Sequence, residues 1–204
     1  MDYRWFLNGA TFESHVYAKD FFTPEECKQI IAYGKNEKYS TKDIASVGGA
    51  PGSSKYKKAE DLSYRRSKIS WLRSDYEETR WIFERITSGI VDINSQFFNF
   101  DLDHIENIQF TEYEDTYKGF YGKHIDIAYK SSNMRKLSFT IQLSDPSEYD
   151  GGDLCLYFSD DARVMAKDRG ILTVFPSFAV HEVEPVTRGT RYALVGWVCG
   201  PPFR

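Results

Sequence analysis

The feature that most constrains this chain is a change of hydrophobic period near residue 105. Before it, Ile82, Ile86, Ile90, Ile93 and Phe97 recur at spacings of three and four. They make one buried stripe of a helix predicted over residues 74–98, with Ser74 and Glu77 as its capping box. An earlier helix is expected after Thr23, because Pro24 suits the first helical position and Glu26 closes a capping box. Cys27, Ile30 and Ile31 then share a face. From about Ile105 onward the period is two. Segments 121–129, 137–143, 153–158, 170–175, 180–183 and 191–198 read as short strands, separated by turn residues at 149–152, 167–170 and 187–189. Helices followed by regularly spaced strands predict an α+β chain, mainly β, with a helical layer packed on a jelly roll or sandwich.

Between the helices, residues 40–68 are rich in Gly, Ser and Lys and lack apolar periodicity. They are predicted to be a long exposed loop, of a length that often serves as a lid. A short strand, SKISWL, follows. With 204 residues, 41% of them hydrophobic and 16% aromatic, the chain can bury a sizeable core within a single domain. Lys and Arg number 26 against 30 Asp and Glu, a net charge of −4 with the signs mixed, which argues against nucleic acid as a partner. Cys27, Cys155 and Cys199 are far apart and show no Cys-x-x-Cys spacing, which excludes a disulfide framework and a cysteine-based zinc site and fits a reducing compartment. The start, MDYRWFLNG, has no apolar leader core, and no apolar run approaches a membrane span. A cytoplasmic protein with no membrane partner is expected.

Of the four histidines, His15 has no chemical neighbours in sequence, and His104, in the acidic stretch FNFDLDHIEN, needs no special explanation. His124 is different. Along a strand alternate side chains share a face, so His124 and Asp126 point together while Ile125 and Ile127 enter the opposite packing layer. A third ligand is available from His181, in the apolar strand FPSFAVHEVEP. A histidine in such a strand is more often a satisfied core residue, but Arg191 stands ten positions later in RYALVGWV, another apolar strand. A buried arginine costs several kcal/mol unless it meets an anion. Two histidines and one carboxylate leave open positions on non-haem Fe(II), and an arginine offers a fork to a carboxylate co-substrate.

In its order of His-x-Asp, Gly-Gly, His and then Arg ten residues on, the stretch from Ile108 to Phe203 resembles the iron- and 2-oxoglutarate-dependent dioxygenases of the prolyl 4-hydroxylase-like branch. The resemblance implies a double-stranded β-helix over 105–204, supported by helices and a substrate loop within 1–104. It implies Fe(II) on His124, Asp126 and His181, with Arg191 holding the distal carboxylate of 2-oxoglutarate. Tyr113 is similar to an upstream tyrosine that helps hold this co-substrate. Tyr121 and Trp197 match residues that hold the target proline ring, and Arg135 matches an arginine that contacts the peptide. Strand parity puts Arg135 on the Leu137 and Phe139 face, so this last role requires the strand to begin after it. The cofactors implied are Fe(II), 2-oxoglutarate, O2 and ascorbate. The implied reaction is hydroxylation of a proline-containing peptide or protein, with succinate and CO2 as co-products.

Other readings stay open from the residues alone. The same cofactor chemistry could act on a free amino acid or other small metabolite, and a cupin-like binding module would not turn over 2-oxoglutarate. A zinc hydrolase could use two histidines and an aspartate but would not explain Arg191. Ser138, Thr140 and Gln142 line either a cavity or the solvent face of their strand.

Overall fold

The computed structural model describes residues 13–46, 61–127 and 134–203. Helix α1 (Pro24–Lys35) starts as its capping box requires. The Glu26 N–H donates to Thr23 Oγ1 at 3.2 Å, and the Thr23 N–H donates to a Glu26 carboxylate oxygen at 2.9 Å. Helix α2 (Glu77–Ile93) starts later than predicted, after Tyr76, and no side chain caps it. Asp75 is instead paired with Arg73 at 2.7 Å, and Thr79 donates its hydroxyl to the Arg73 carbonyl at 2.5 Å. A π-helical turn, Asn94–Phe98, continues the helical path until Asn99 enters the left-handed region at φ 53°. The wider turn shifts the phase of the stripe by one residue. Phe98 is therefore buried, and Phe97, expected on the stripe, is exposed.

The strands are β1 (Val16–Ala18), β2 (Ser40–Asp43), β3 (Arg65–Arg66), β4 (Lys68–Leu72), β5 (His104–Ile105), β6 (Gln109–Glu114), β7 (Phe120–His124), β8 (Met134–Gln142), β9 (Tyr149–Gly151), β10 (Leu154–Tyr157), β11 (Ala162–Val164), β12 (Leu172–Pro176), β13 (Val180–Val183) and β14 (Val186–Gly200). The larger sheet runs β1-β12-β8-β14-β6-β4-β2, with β5 and β9 also paired to β14, and the smaller runs β11-β10-β13-β7-β3. Strand β8 shows how the layers form. Leu137, Phe139 and Ile141 join Ile82, Ile86 and Leu194 in the core under the helices. Alternate residues Ser138, Thr140 and Gln142 are also buried and take the opposite face, between the sheets. On that inner side a second cluster gathers Tyr113, Leu156, Phe175 and Val183. This is the double-stranded β-helix that the alternation and the resemblance anticipated. Among the described residues, no helix is long and apolar enough to cross a membrane.

Several expected boundaries change. Residues 40–68 are not all loop, since β2 extends the larger sheet through β4 and β3 extends the smaller one through β7. The sequence hides β2 because it lies at a sheet edge, where only Ser40 turns inward, donating to the Gly34 carbonyl at 2.8 Å. Residues 47–60, and with them the lid expectation, lie outside the described residues. The expected turns at 149–152 and 187–189 are paired strand: β9 lies against the start of β14, whose register shifts between Val186 and Arg188. Gly189 has φ 72° there, and a Cβ would stand 2.2 Å from the Glu148 carbonyl oxygen, so only glycine fits the bulge.

Candidate functional site

Strands β7 and β13 are antiparallel neighbours in the smaller sheet, and their register sets His124 directly opposite His181. Asp126 is not on the strand as predicted. The ladder of β7 ends at His124, Ile125 turns outward to 47% exposure, and the Asp126 and Ile127 N–H groups both donate to the Ser177 carbonyl, at 2.9 and 3.0 Å. The turn still delivers the carboxylate. His124 Nε2 lies 3.6 Å from one Asp126 oxygen and His181 Nε2 lies 3.3 Å from the other. Among the described residues, these three form the cluster of potential metal ligands, with donor atoms all within 4.8 Å of one another. His104, on β5, is exposed, and His15 contacts Ser14 and Tyr17.

The chemistry of this donor set fits a cation. His124 Nδ1 is 2.7 Å from the Gly122 carbonyl oxygen, and His181 Nδ1 is 2.9 Å from the Ala179 carbonyl oxygen. A carbonyl only accepts, so each Nδ1 carries hydrogen and each Nε2 presents a lone pair toward the carboxylate. Three electron-rich atoms facing one another are satisfied by a positive ion among them. Burial, helped by His181, pushes the His124 imidazole down to about 4, so it is neutral near neutral pH. Burial opposes ionisation of Asp126, but His181, His124 and a 2.7 Å hydrogen bond donated by Ser138 hold its carboxyl well below the usual range. Asp126 in turn raises the His181 imidazole against its own burial.

Farther along the inner face of the larger sheet lies a small cavity. Thr140 and Gln142, two and four residues beyond Ser138 on the same face of β8, line it together with Tyr149, Thr173 and Arg191. Four residues of strand span about 13 Å, enough for a short dicarboxylate. Arg191 is only 4% exposed. It pairs with Tyr113 across β14 and β6, and its guanidinium carbon lies 5.6 Å from the centre of the Tyr113 ring.

Beside the histidines, Tyr121 stacks flat on His124, with ring centres 3.6 Å apart and an interplanar angle of 17°. Burial pushes its phenol up to about 12. Its ring also faces the guanidinium of Arg65 at 4.4 Å, and Arg65 donates to Gln109 Oε1 at 2.9 Å. Trp197 lies opposite Ser138 in the β14–β8 register. Its ring meets the Arg135 guanidinium at 3.9 Å, while Arg135 forms a two-point pair with Glu106 at 2.7 and 2.6 Å. Strand β8 begins before Arg135, contrary to the condition set by parity. A register shift between Val198 and Cys199 makes Lys136 an extra residue, and the bulge turns Arg135 to the side of Trp197. The buried Trp197 Nε1 has no hydrogen-bond partner among the described residues.

Residues 108–199 match the family model of the 2OG-Fe(II) oxygenase superfamily. That match takes in a little under half of the chain, and over this stretch the chain is similar to the superfamily. The chain is 46% identical over 78 residues to a PKHD-type hydroxylase of Prochlorococcus marinus strain MIT 9303, an alignment covering 38% of this chain and 35% of the relative. It is 41% identical over 96 residues to one from Gloeothece citriformis, covering 46% and 43%. The chain thus spans well under half the length of these curated relatives. Across nearly its whole length it shares a fold with a Pseudomonas putida prolyl-4-hydroxylase, with TM-score 0.67, 20% identity, and 93% and 94% of the two chains covered. A Trichoplax adhaerens prolyl hydroxylase, solved with a hypoxia-inducible-factor degradation-domain peptide, gives TM-score 0.70 at 18% identity, covering 91% and 83%.

Two residues of the candidate site escaped the sequence reading. Arg65 stood in a segment read as loop, and its only signal was a cationic pair beside the KISWL strand. Tyr149 stood in a stretch read as a turn, where an aromatic before Asp-Gly-Gly gives no indication of a cavity wall.

Proposed function

We propose that this chain is an Fe(II)- and 2-oxoglutarate-dependent dioxygenase that hydroxylates prolyl residues in a peptide or protein. The observation that carries this reading is the convergence of two imidazole Nε2 atoms and the Asp126 carboxylate beside a buried cavity that contains Arg191. His124, Asp126 and His181 would hold Fe(II), leaving open positions for a chelating keto acid and O2. Bound there, iron supplies the chemistry that couples decarboxylation of 2-oxoglutarate to hydroxylation of a C–H bond, with one oxygen atom entering succinate and the other the product.

The chain's own residues bind, orient and exclude water. The Gly122 and Ala179 carbonyls hold both imidazoles in the ligating tautomer, and Ser138 steadies Asp126. Arg191 pairs with the distal carboxylate where water does not compete, with Tyr113 beside it. Tyr121, Arg135 and Trp197 form the substrate side. The unpaired indole N–H is a donor suited to a peptide carbonyl, and the flat ring of Tyr121 suits a pyrrolidine. Ascorbate serves as the reductant that keeps iron ferrous. The relatives, which are PKHD-type hydroxylases, support a hydroxylase, and the prolyl hydroxylases among the fold neighbours support a prolyl substrate.

The test is mass spectrometry of proline-containing peptides incubated with the protein, Fe(II), ascorbate and 2-oxoglutarate. A gain of one oxygen atom on proline, matched by succinate, is the expected result. Succinate without hydroxyproline across a broad peptide panel would replace the peptide by a small metabolite. No turnover of 2-oxoglutarate at all would favour the binding-module reading.

A further inference from the structure

We propose that Tyr149 is a second recognition residue for the distal carboxylate of 2-oxoglutarate, its phenol donating to the same anion that Arg191 binds. This inference rests on the function proposed above and adds a residue to which the resemblance gives no role.

Tyr149 is 1% exposed and lines the cavity with Arg191 and Lys167. Its hydroxyl oxygen accepts a hydrogen bond from Gln142 Nε2 at 3.0 Å. The orientation of that amide is fixed, because the same nitrogen also faces the Ser144 carbonyl oxygen at 3.5 Å, where only a donor is suitable. Two cations lie close to the ring: the Lys167 ammonium stands over it at 4.9 Å, and the Arg191 guanidinium acts on its hydroxyl, while the Asp153 carboxylate, which also acts on it, is paired with Lys167 at 2.7 Å. A guanidinium and an ammonium have hydrogens to give and no lone pair to offer. Gln142, Lys167 and Arg191 therefore offer the phenol hydrogens rather than lone pairs, the Asp153 carboxylate is taken by Lys167, and an acceptor brought into the cavity would satisfy the phenol hydrogen. An anion also suits the two cations.

The local backbone holds this arrangement. Gly152, at φ 62°, lets the chain pass so close that a Cβ would stand 3.1 Å from Arg191 Cδ and 3.5 Å from Tyr149 Cε2. The pairing of β9 with β14 thus sets Tyr149 and Arg191 side by side in one wall. Lys167 is already engaged by Asp153 at 2.7 Å, which leaves Arg191 and Tyr149, side by side, to meet a carboxylate at close range.

The experiment compares wild type with Tyr149→Phe, a change that removes one oxygen atom and keeps the ring, with near-ultraviolet circular dichroism and thermal unfolding as checks on the fold. Binding of 2-oxoglutarate to the Mn(II)-loaded proteins is measured by calorimetry without oxygen. Binding of 2-oxopentanoate, which keeps the keto-acid head and carries a methyl group where the distal carboxylate would be, is measured alongside. The expected result is a loss of about ten-fold or more in 2-oxoglutarate affinity, the usual scale for a hydrogen bond to a charged group, with 2-oxopentanoate unchanged. Equal affinity of both proteins for 2-oxoglutarate overturns the role of Tyr149 alone. Equal losses for both keto acids also overturn it, because the ring would then shape the cavity rather than read the carboxylate. Failure of the wild type to bind 2-oxoglutarate overturns the underlying function as well.

Discussion

Removing any one of His124, Asp126 or His181 leaves two donors where three converge, so each alanine variant is expected to abolish 2-oxoglutarate turnover. His104→Ala, on an exposed edge, should retain it in the same succinate assay. Arg191→Ala removes the cation from a buried cavity and leaves an incoming carboxylate unpaired. It should weaken 2-oxoglutarate by about 2–5 kcal/mol in a binding assay while metal uptake persists. Arg135 has a pH signature. Burial raises the Glu106 carboxyl, but the Arg135 pair more than offsets this and holds it below its ordinary value. A carboxyl depressed in the folded state stabilises the fold above its unfolded pKa, and that contribution is lost as pH falls through the folded value. The difference in urea midpoint between wild type and Arg135→Met should therefore be largest near about pH 6 and shrink toward about pH 3. The cluster of His124, Asp126 and His181, and the buried Arg191, were legible in the sequence because each is a polar residue in, or beside, an apolar strand. Tyr149 was not, because its importance lies in three donors contributed by segments distant in sequence.

At the scale of elements, the two helices make opposite predictions from similar sequence signals. Thr23-x-x-Glu26 forms its reciprocal hydrogen bonds, so Thr23→Ala should lower stability by about 1 kcal/mol in urea denaturation. Ser74-x-x-Glu77 has the same spacing, yet α2 begins at Glu77 with an uncapped Tyr76, so Ser74→Ala should leave the midpoint unchanged. Capping boxes are local, and the sequence alone could not reveal that Arg73 and Thr79 organise the entry to α2 differently. The same limit applies to Arg135. Alternation along β8 assigns it to the helix face, and one extra residue at Lys136 reverses that assignment. Bulges break the period-two rule where a side chain must be re-aimed, which is often beside a functional site. Asp126 escapes the rule in another way, since a short turn held by Ser177 performs the convergence expected of a strand.

At the scale of the whole molecule, one strand serves two purposes. The odd-numbered residues of β8 from Leu137 to Ile141 seal the core under the helices, while on the other face Ser138 holds Asp126 and Thr140 and Gln142 line the cavity. The rigidity of that cavity wall therefore derives from packing on the far side of the same sheet. Ile86 is fully buried in that packing. Ile86→Ala should cost about 2–5 kcal/mol of stability, in a single cooperative transition, because a cavity in this core loosens the layer that carries the site. Metal affinity of the folded variant should nevertheless match wild type, because the two histidines stand in the smaller sheet and the Asp126 turn is held by Ser177, away from the helix-side core. The two effects can be separated by unfolding both proteins with and without Mn(II). At a free metal concentration about 100 times the dissociation constant, each should gain about 2.7 kcal/mol. Equal gains mean that the helix-side core and the metal cluster contribute independently and additively. A markedly smaller gain in Ile86→Ala would mean that the packing of the helices also sets the geometry of His124, Asp126 and His181.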